Sequence, residues 1–314
     1  KNLNLIKIYS SPLVKKNSLK LLFSIFIIIF SIIRSFLFLL LNRPVIIIGM
    51  GGYSSFPVCI AASILRIKFI IYENNLVIGK ANKYLLPFAK KIFVSYEDLE
   101  GIPEKYKPKI VEVGNIVRSK IINSNFSYQT NRFDNIKILV LGGSQAAAVF
   151  AEELPKIFKE LKNSDIKLKV FQQCQKNQNE KLYQFYKNAN IDCEIFNFTD
   201  KIIDYYSKVN LVITRSGASV LGELINVKIP FISIPLPTSA DNHQLKNASF
   251  YKKKGFGLLL EEKDIKNKLY KLILSLFKDK SLINNILSNQ RQYSDKDIYQ
   301  NLISEIEKIL NEKN

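Results

Sequence analysis

Twice in this chain a short apolar run ends in a cluster of glycines and gives way to helix-like sequence. Ile136-Lys137-Ile138-Leu139-Val140-Leu141 meets Gly142-Gly143-Ser144-Gln145, and an Ala-rich stretch over residues 146–154 follows. Earlier, Val45-Ile46-Ile47-Ile48 meets Gly49-Met50-Gly51-Gly52-Tyr53. A buried strand, a glycine turn and a helix in that order make the repeating unit of a parallel α/β sheet. Glycine lets the backbone turn tightly and lets a ligand approach it closely. The first amides of the next helix then present free N–H groups and a positive dipole end, which suits a phosphate. Two such units imply two anionic ligands, or one ligand held between two domains.

The alternation continues around both loops. Strands are predicted over 45–48, 68–72, 91–94 and 110–113, with helices over 57–65 (Pro57 in its first turn) and near 81–88, and a polar loop over 73–75. After the polar stretch 123–131 the pattern restarts, with strands over 137–141, 167–172, 191–196, 211–214 and 231–234. Helices are predicted over 146–162, 180–188 and 218–226, and a closing amphipathic helix carries Ile298, Leu302, Ile303, Ile306, Ile309 and Leu310 on one face. A length of 314 residues accommodates two domains. The expected fold is α/β, two Rossmann-like, doubly wound parallel-sheet domains facing across a cleft, with ligands at the carboxyl ends of the strands. The expected boundaries are a first domain over 1–122, a linker over 123–136 and a second domain over 137–296. A terminal helix over 297–314 is expected to pack back toward the first domain.

Residues 19–41 are almost continuously apolar, interrupted by Lys20, Ser24, Ser31, Arg34 and Ser35. As a helix this stretch is long enough to cross ~30 Å of hydrocarbon. Arg34 would cost roughly 2.5–3.5 kcal/mol within the bilayer. Three readings stand: a true span, an interfacial helix lying on a leaflet with its basic residues at the head groups, and a helix buried against the sheet. No small-residue cleavage site follows, which argues against a signal peptide.

The formal charge of +19 comes from 46 Lys+Arg against 27 Asp+Glu. Genomic nucleotide bias toward Lys, Ile and Asn codons is one explanation; an anionic partner is another, either nucleic acid or an acidic membrane leaflet. No nucleic-acid-binding motif is present, and the aromatics do not interleave with arginines. The apolar stretch favours the membrane. Three scattered cysteines and the single His243 make neither a disulfide framework nor a zinc site, so a reducing compartment and metal-free chemistry are expected.

Four further segments carry candidate chemistry. Arg215-Ser216-Gly217-Ala218 lies between a strand and a helix, with Glu223 about a turn further on; that carboxylate either accepts from the vicinal hydroxyls of a ribose or complements the helix dipole. Asp241-Asn242-His243-Gln244 follows a strand and gathers hydrogen-bonding side chains, as a sugar site or as a polar turn. Glu73, in Tyr72-Glu73-Asn74-Asn75, is a general base, an orienting group or a solvated loop carboxylate. Gly114-Asn115-Ile116-Val117-Arg118 places Arg118 to meet a phosphate or a base.

In order and spacing, these segments together with Phe198-Thr199-Asp200 and Asn247-Ala248 resemble the MurG family of bacterial peptidoglycan glycosyltransferases, glycosyltransferase family 28, from about residue 45 to 260. The resemblance implies a GT-B fold and an inverting, metal-independent enzyme without a cofactor. Such an enzyme moves N-acetylglucosamine from UDP-GlcNAc to undecaprenyl-diphosphate-linked muramyl-pentapeptide. It implies that Ser144 and its loop hold the diphosphate with the helix start formed by Ala218, Ser219, Val220, Leu221 and Gly222. Thr199 would hold uracil through its backbone, Glu223 the ribose, and Gln244 with Asn75 the GlcNAc hydroxyls, while Arg118 closes on the nucleotide. Gly51, Gly52 and Tyr53 would hold the diphosphate of the lipid acceptor, and Glu73 is the catalytic candidate. The apolar N-terminal helix would dock peripherally on the anionic cytoplasmic leaflet of the inner membrane, and no nucleic acid partner is implied.

The chain departs from the family pattern at its start. The family's opening strand and GGTGGH loop, with the histidine usually taken as general base, have no counterpart here, so roughly sixty residues of the pattern are expected to precede Lys1. Tyr72 stands where the family usually has histidine, and Gln172 replaces another. Other readings stay open: a separate polypeptide that supplies the first loop, a different GT-B glycolipid synthase, and a non-catalytic membrane-bound nucleotide-sugar binder.

Overall fold

A computed structural model describes residues 5–8, 10–11, 18–123, 135–164 and 166–312, apart from the side chains of residues 18–19 and 144–147. The chain divides into two compact units, Lys1–Ile116 with Asp297–Asn314, and Val117–Lys296. Most of the expected linker, residues 124–134, lies outside the described residues. The first unit ends before residue 122, because the short helix that follows Arg118 packs within the second unit.

In the first unit, α1 (Ser18–Asn42), β1 (Ile46–Gly49), α2 (Gly52–Ile64), β2 (Lys68–Glu73), α3 (Lys80–Leu85), β3 (Lys91–Val94) and β4 (Ile110–Glu112) follow one another. The strands form a parallel sheet in the order β1-β2-β3-β4. Five of the six residues of β2 are buried, which fits a strand covered on both faces and explains its unbroken apolar sequence. Phe69, Ile71 and Ile92 pack with Cys59, Ala61 and Leu85 in one core.

Two sequence expectations shift here. Helix α2 begins at Gly52 rather than Pro57, so Pro57 lies inside it. Gly51 and Gly52 both take positive φ, 79° and 73°, and this turn lets the helix start directly after the strand. Glu73 is the last residue of β2, paired with Val94, and not a loop residue.

Helix α1 has an inverted surface. Ser24, Ser31, Ser35 and Leu39 face inward, while Phe23, Phe26, Phe30, Leu37 and Leu41 are exposed. Helix α1 packs against α2, and many of its large apolar side chains point outward. Residues Lys20–Asn42 are long and apolar enough to cross a membrane, with 22% of the window buried.

The second unit runs through α4 (Ser119–Ile122), β5 (Asn135–Leu141), α5 (Gly143–Asn163), β6 (Lys167–Gln173), α6 (Asn179–Asn188), β7 (Asp192–Phe196) and α7 (Ile202–Tyr206). It continues with β8 (Leu211–Thr214), α8 (Ala218–Val227), β9 (Phe231–Ser233), α9 (His243–Lys253), β10 (Leu258–Leu259), α10 (Ile265–Lys278) and α11 (Lys280–Arg291). Its six strands are all parallel, in the order β10-β9-β8-β5-β6-β7. The winding reverses between β5 and β8. In an open parallel sheet, that switch point leaves a crevice at the strands' carboxyl ends.

The final helix, α12 (Ile298–Asn311), belongs to the first unit. The Lys68 ammonium donates to the carbonyls of Ile309 and Glu312, each at 3.1 Å, and Lys90 pairs with Glu312 at 2.7 Å. Lys68 thus supplies a donor to carbonyls that the end of a helix leaves without partners, while Lys90 holds the Glu312 carboxylate.

Candidate functional site

The switch point of the second unit carries a cavity of about 430 Å³. Its size falls in the range of small-molecule sites. The glycine loop after β5 contributes Gly142 and Gly143, and the segment after β8 contributes Arg215, Gly217 and Val220. Two helices therefore start at its edge, α5 after Gly142 and α8 after Gly217. Gly143 has φ +64° with open space where a Cβ would stand, so a ligand can come close to this backbone. Converging helix N-termini present orphan N–H groups and positive potential, the arrangement that binds phosphate. The side chain of Ser144 lies outside the described residues.

Glu223 reaches the same cavity from the second turn of α8 and is buried. Its carboxylate accepts from the Tyr206 hydroxyl at 3.0 Å, and Arg118 Nε stands 3.4 Å from the other oxygen. Burial raises the Glu223 pKa above its ordinary value, while Arg118 and the Tyr206 hydrogen bond pull the other way. Burial, together with the neighbouring carboxylate, pushes the Tyr206 hydroxyl well up, so it stays a donor.

Gln244 lies in the first turn of α9 and also lines the cavity. Its Oε1 accepts from the Leu236 backbone N–H at 2.9 Å, which fixes the amide and leaves its Nε2 as the donor end. The turn before α9 puts Asp241 and Asn242 at positive φ, 51° and 54°. His243 Nδ1 meets Ala240 O at 2.7 Å, so the single histidine braces this turn. Thr199 also lines the cavity, with Phe196, Phe198 and Ile202.

Of the sequence-derived candidates, Arg118, Thr199, Val220, Glu223 and Gln244 thus line one cavity. Ala218 opens α8 beside it, Ser219 is exposed, and Leu221 and Gly222 are buried within the unit. Glu73, Asn75, Gly51, Gly52 and Tyr53 belong to the first unit. There Glu73 is buried and accepts four hydrogen bonds: from Asn75 N at 3.2 Å, and from Asn75 Nδ2, Gly79 N and Asn82 Nδ2 at 2.9 Å each. Sequence reasoning did not find Tyr206, Gln173 or Leu236. Tyr206 sits at the end of a five-residue helix, too short for a periodic signal.

Both halves of one known family match this chain in order. The glycosyltransferase family 28 N-terminal domain matches residues 1–94, and the glycosyltransferase family 28 C-terminal domain matches residues 137–310. The chain belongs to glycosyltransferase family 28. Among its relatives is the UDP-N-acetylglucosamine–N-acetylmuramyl-(pentapeptide) pyrophosphoryl-undecaprenol N-acetylglucosamine transferase of Pelagibacter ubique, 37% identical over 290 residues, covering 92% of this chain and 78% of the relative. The protein of the same name from Rickettsia felis is 39% identical over 256 residues, covering 79% of this chain and 71% of its own. The family 28 chain also shares its fold with solved structures. Acinetobacter baumannii MurG superposes with a TM-score of 0.73 at 24% identity, covering 90% of this chain and 80% of that one. The S. aureus MnaA-UDP co-structure gives 0.67 at 17% identity, covering 96% and 84%. The two parallel-sheet α/β units are those of the GT-B class, as the sequence led one to expect.

Proposed function

We propose that this family 28 chain transfers N-acetylglucosamine from UDP-GlcNAc to undecaprenyl-diphosphate-linked muramyl-pentapeptide, with inversion at the sugar carbon. The observation that carries this reading is the single cavity shared by two helix N-termini, Glu223 and Gln244. The names of the relatives give the same donor and acceptor.

In this reading the starts of α5, with Ser144, and of α8, over residues 218–222, hold the diphosphate. Glu223 takes the ribose diol, and the Thr199 backbone takes the uracil. Gln244 donates to a sugar hydroxyl, with Asn75 as a second reader, and Arg118 closes on the nucleotide. The acceptor hydroxyl attacks the anomeric carbon and loses its proton to a base while the bond to UDP breaks. The helix dipoles stabilise the charge that collects on the departing diphosphate.

Gly51, Gly52 and Tyr53 serve the acceptor diphosphate. Glu73 acts as an orienting group, since four donors already occupy its two oxygens. It shapes the loop that carries Asn75. The protein works peripherally at the cytoplasmic face of the inner membrane, docked on the anionic leaflet. The outward Phe and Leu side chains of α1 support this, and so does a charge of +19.

The test is an assay of the protein with UDP-GlcNAc and the lipid-linked muramyl-pentapeptide in detergent or vesicles. Release of UDP matched one-to-one by the lipid-linked disaccharide is expected. Tight UDP-GlcNAc binding without any transfer would instead favour a nucleotide-sugar binder.

A further inference from the structure

Among the described residues Arg215 is the one strongly buried cation at the cavity, and its guanidinium ties three separate elements together. Its Nη1 donates to the carbonyls of Ile234 and Pro235, each at 3.2 Å, where the chain leaves β9 and ladder partners run out. Its Nη2 donates to the Glu262 carboxylate, just beyond β10. Its face lies 4.5 Å from the ring centroid of Phe150, in α5. A planar guanidinium can serve all of these at once; a lysine ammonium cannot.

The next residue after Pro235 is Leu236, whose N–H fixes the Gln244 amide. Backbone geometry at 234–235 therefore sets where the Gln244 donor end points. Glu262 neutralises the buried cation and turns its fork toward the two carbonyls, at a site where an unpaired charge would be costly.

From this connectivity we infer that Arg215 and Glu262 are positioning residues that aim Gln244 at the sugar of the nucleotide sugar. The inference rests on the donor-site reading above and deepens it. It separates the site into a nucleotide half, held by helix starts and Glu223, and a sugar half, held in place through Arg215.

Calorimetric titration of the protein with UDP and with UDP-GlcNAc tests this. In Arg215→Lys the ratio of the UDP-GlcNAc Kd to the UDP Kd should rise about tenfold, the scale of one misplaced hydrogen bond to a buried site, while the UDP Kd stays within about threefold. Glu262→Gln should move the ratio the same way by a smaller factor, and it carries the test if Arg215→Lys fails to fold. Equal weakening of both ligands would mean that Arg215 acts on the diphosphate, and would overturn the inference. So would an unchanged ratio in both variants. A wild-type protein that binds neither ligand would sink the donor-site reading itself, and this inference with it.

Discussion

The Tyr206 hydroxyl donates to Glu223 Oε2 at 3.0 Å inside the second unit, and the pair is buried. A carboxylate that must accept from ribose hydroxyls needs a fixed orientation, and this tyrosine supplies it from a neighbouring short helix. Tyr206→Phe keeps the packing and removes only the donor. A hydrogen bond to a charged group is worth about 1.5–3 kcal/mol, so UDP affinity should fall roughly 10- to 100-fold. Calorimetry on the variant checks this; unchanged affinity would mean that Glu223 does not bind nucleotide through this geometry.

The acid side of the pH profile follows from the same carboxylate. Burial raises the Glu223 pKa, so on acidification it takes up a proton at a higher pH than an exposed glutamate does. Its ionised form is the better acceptor for a diol. Affinity for UDP-GlcNAc, whose diester phosphates do not titrate there, should be full above the raised pKa and fall as pH drops through it. Glu223→Gln should bind more weakly and show no such limb. A limb of equal size in both proteins would assign it to another group.

Helix α1 should govern membrane attachment. Replacing Phe23, Phe26 and Phe30, all more than half exposed, with serine removes three large apolar side chains without touching the inward serine face. Burying one such side chain is worth about 1.5–3 kcal/mol, so binding to vesicles of anionic phospholipid should fall by well over tenfold. Co-sedimentation reads this directly. Undiminished binding would place the contact elsewhere on the chain.

Tyr72 offers a stability test in the first unit. Its hydroxyl lies 2.9 Å from Ser95 Oγ, donates to Gly114 O at 3.1 Å and accepts from Ile116 N at 3.0 Å. The residue thus pins the segment leading to Val117 and Arg118. Tyr72→Phe leaves the buried Ser95 and the half-buried Gly114 and Ile116 short of a hydrogen bond and should cost about 1–3 kcal/mol, seen as a lower melting temperature. A melting temperature equal to wild type would show that the segment is held by other contacts.

Local sequence was enough to find the strands up to β9, because an apolar run that stops at a turn is a strand wherever it packs; the two-residue β10 is too short to give such a run. It found Glu223 and Gln244 because each sits at a fixed offset from such an end. It misjudged the start of α2, since Pro57 resembles a first-turn proline and only the paired positive φ of Gly51 and Gly52 lets the helix begin earlier. The inward serines of α1 were equally opaque. Spacing alone marks an apolar helix, but which stripe faces α2 depends on how closely the two backbones approach.

Sequence by itself determined the repeating strand–glycine–helix order, and with it a pair of parallel sheets and the loops able to meet phosphate. Tertiary structure decided which side chains share a cavity. Arg118, Tyr206, Glu223 and Gln244 span more than a hundred residues, and they meet because the strand order reverses between β5 and β8. It also decided what the buried groups do. Arg215, which carried no role of its own in the linear sequence, ties the ends of β9 and β10 to α5. The physical reason is that a side chain's role is fixed by its partners, and partners distant in sequence are chosen by packing.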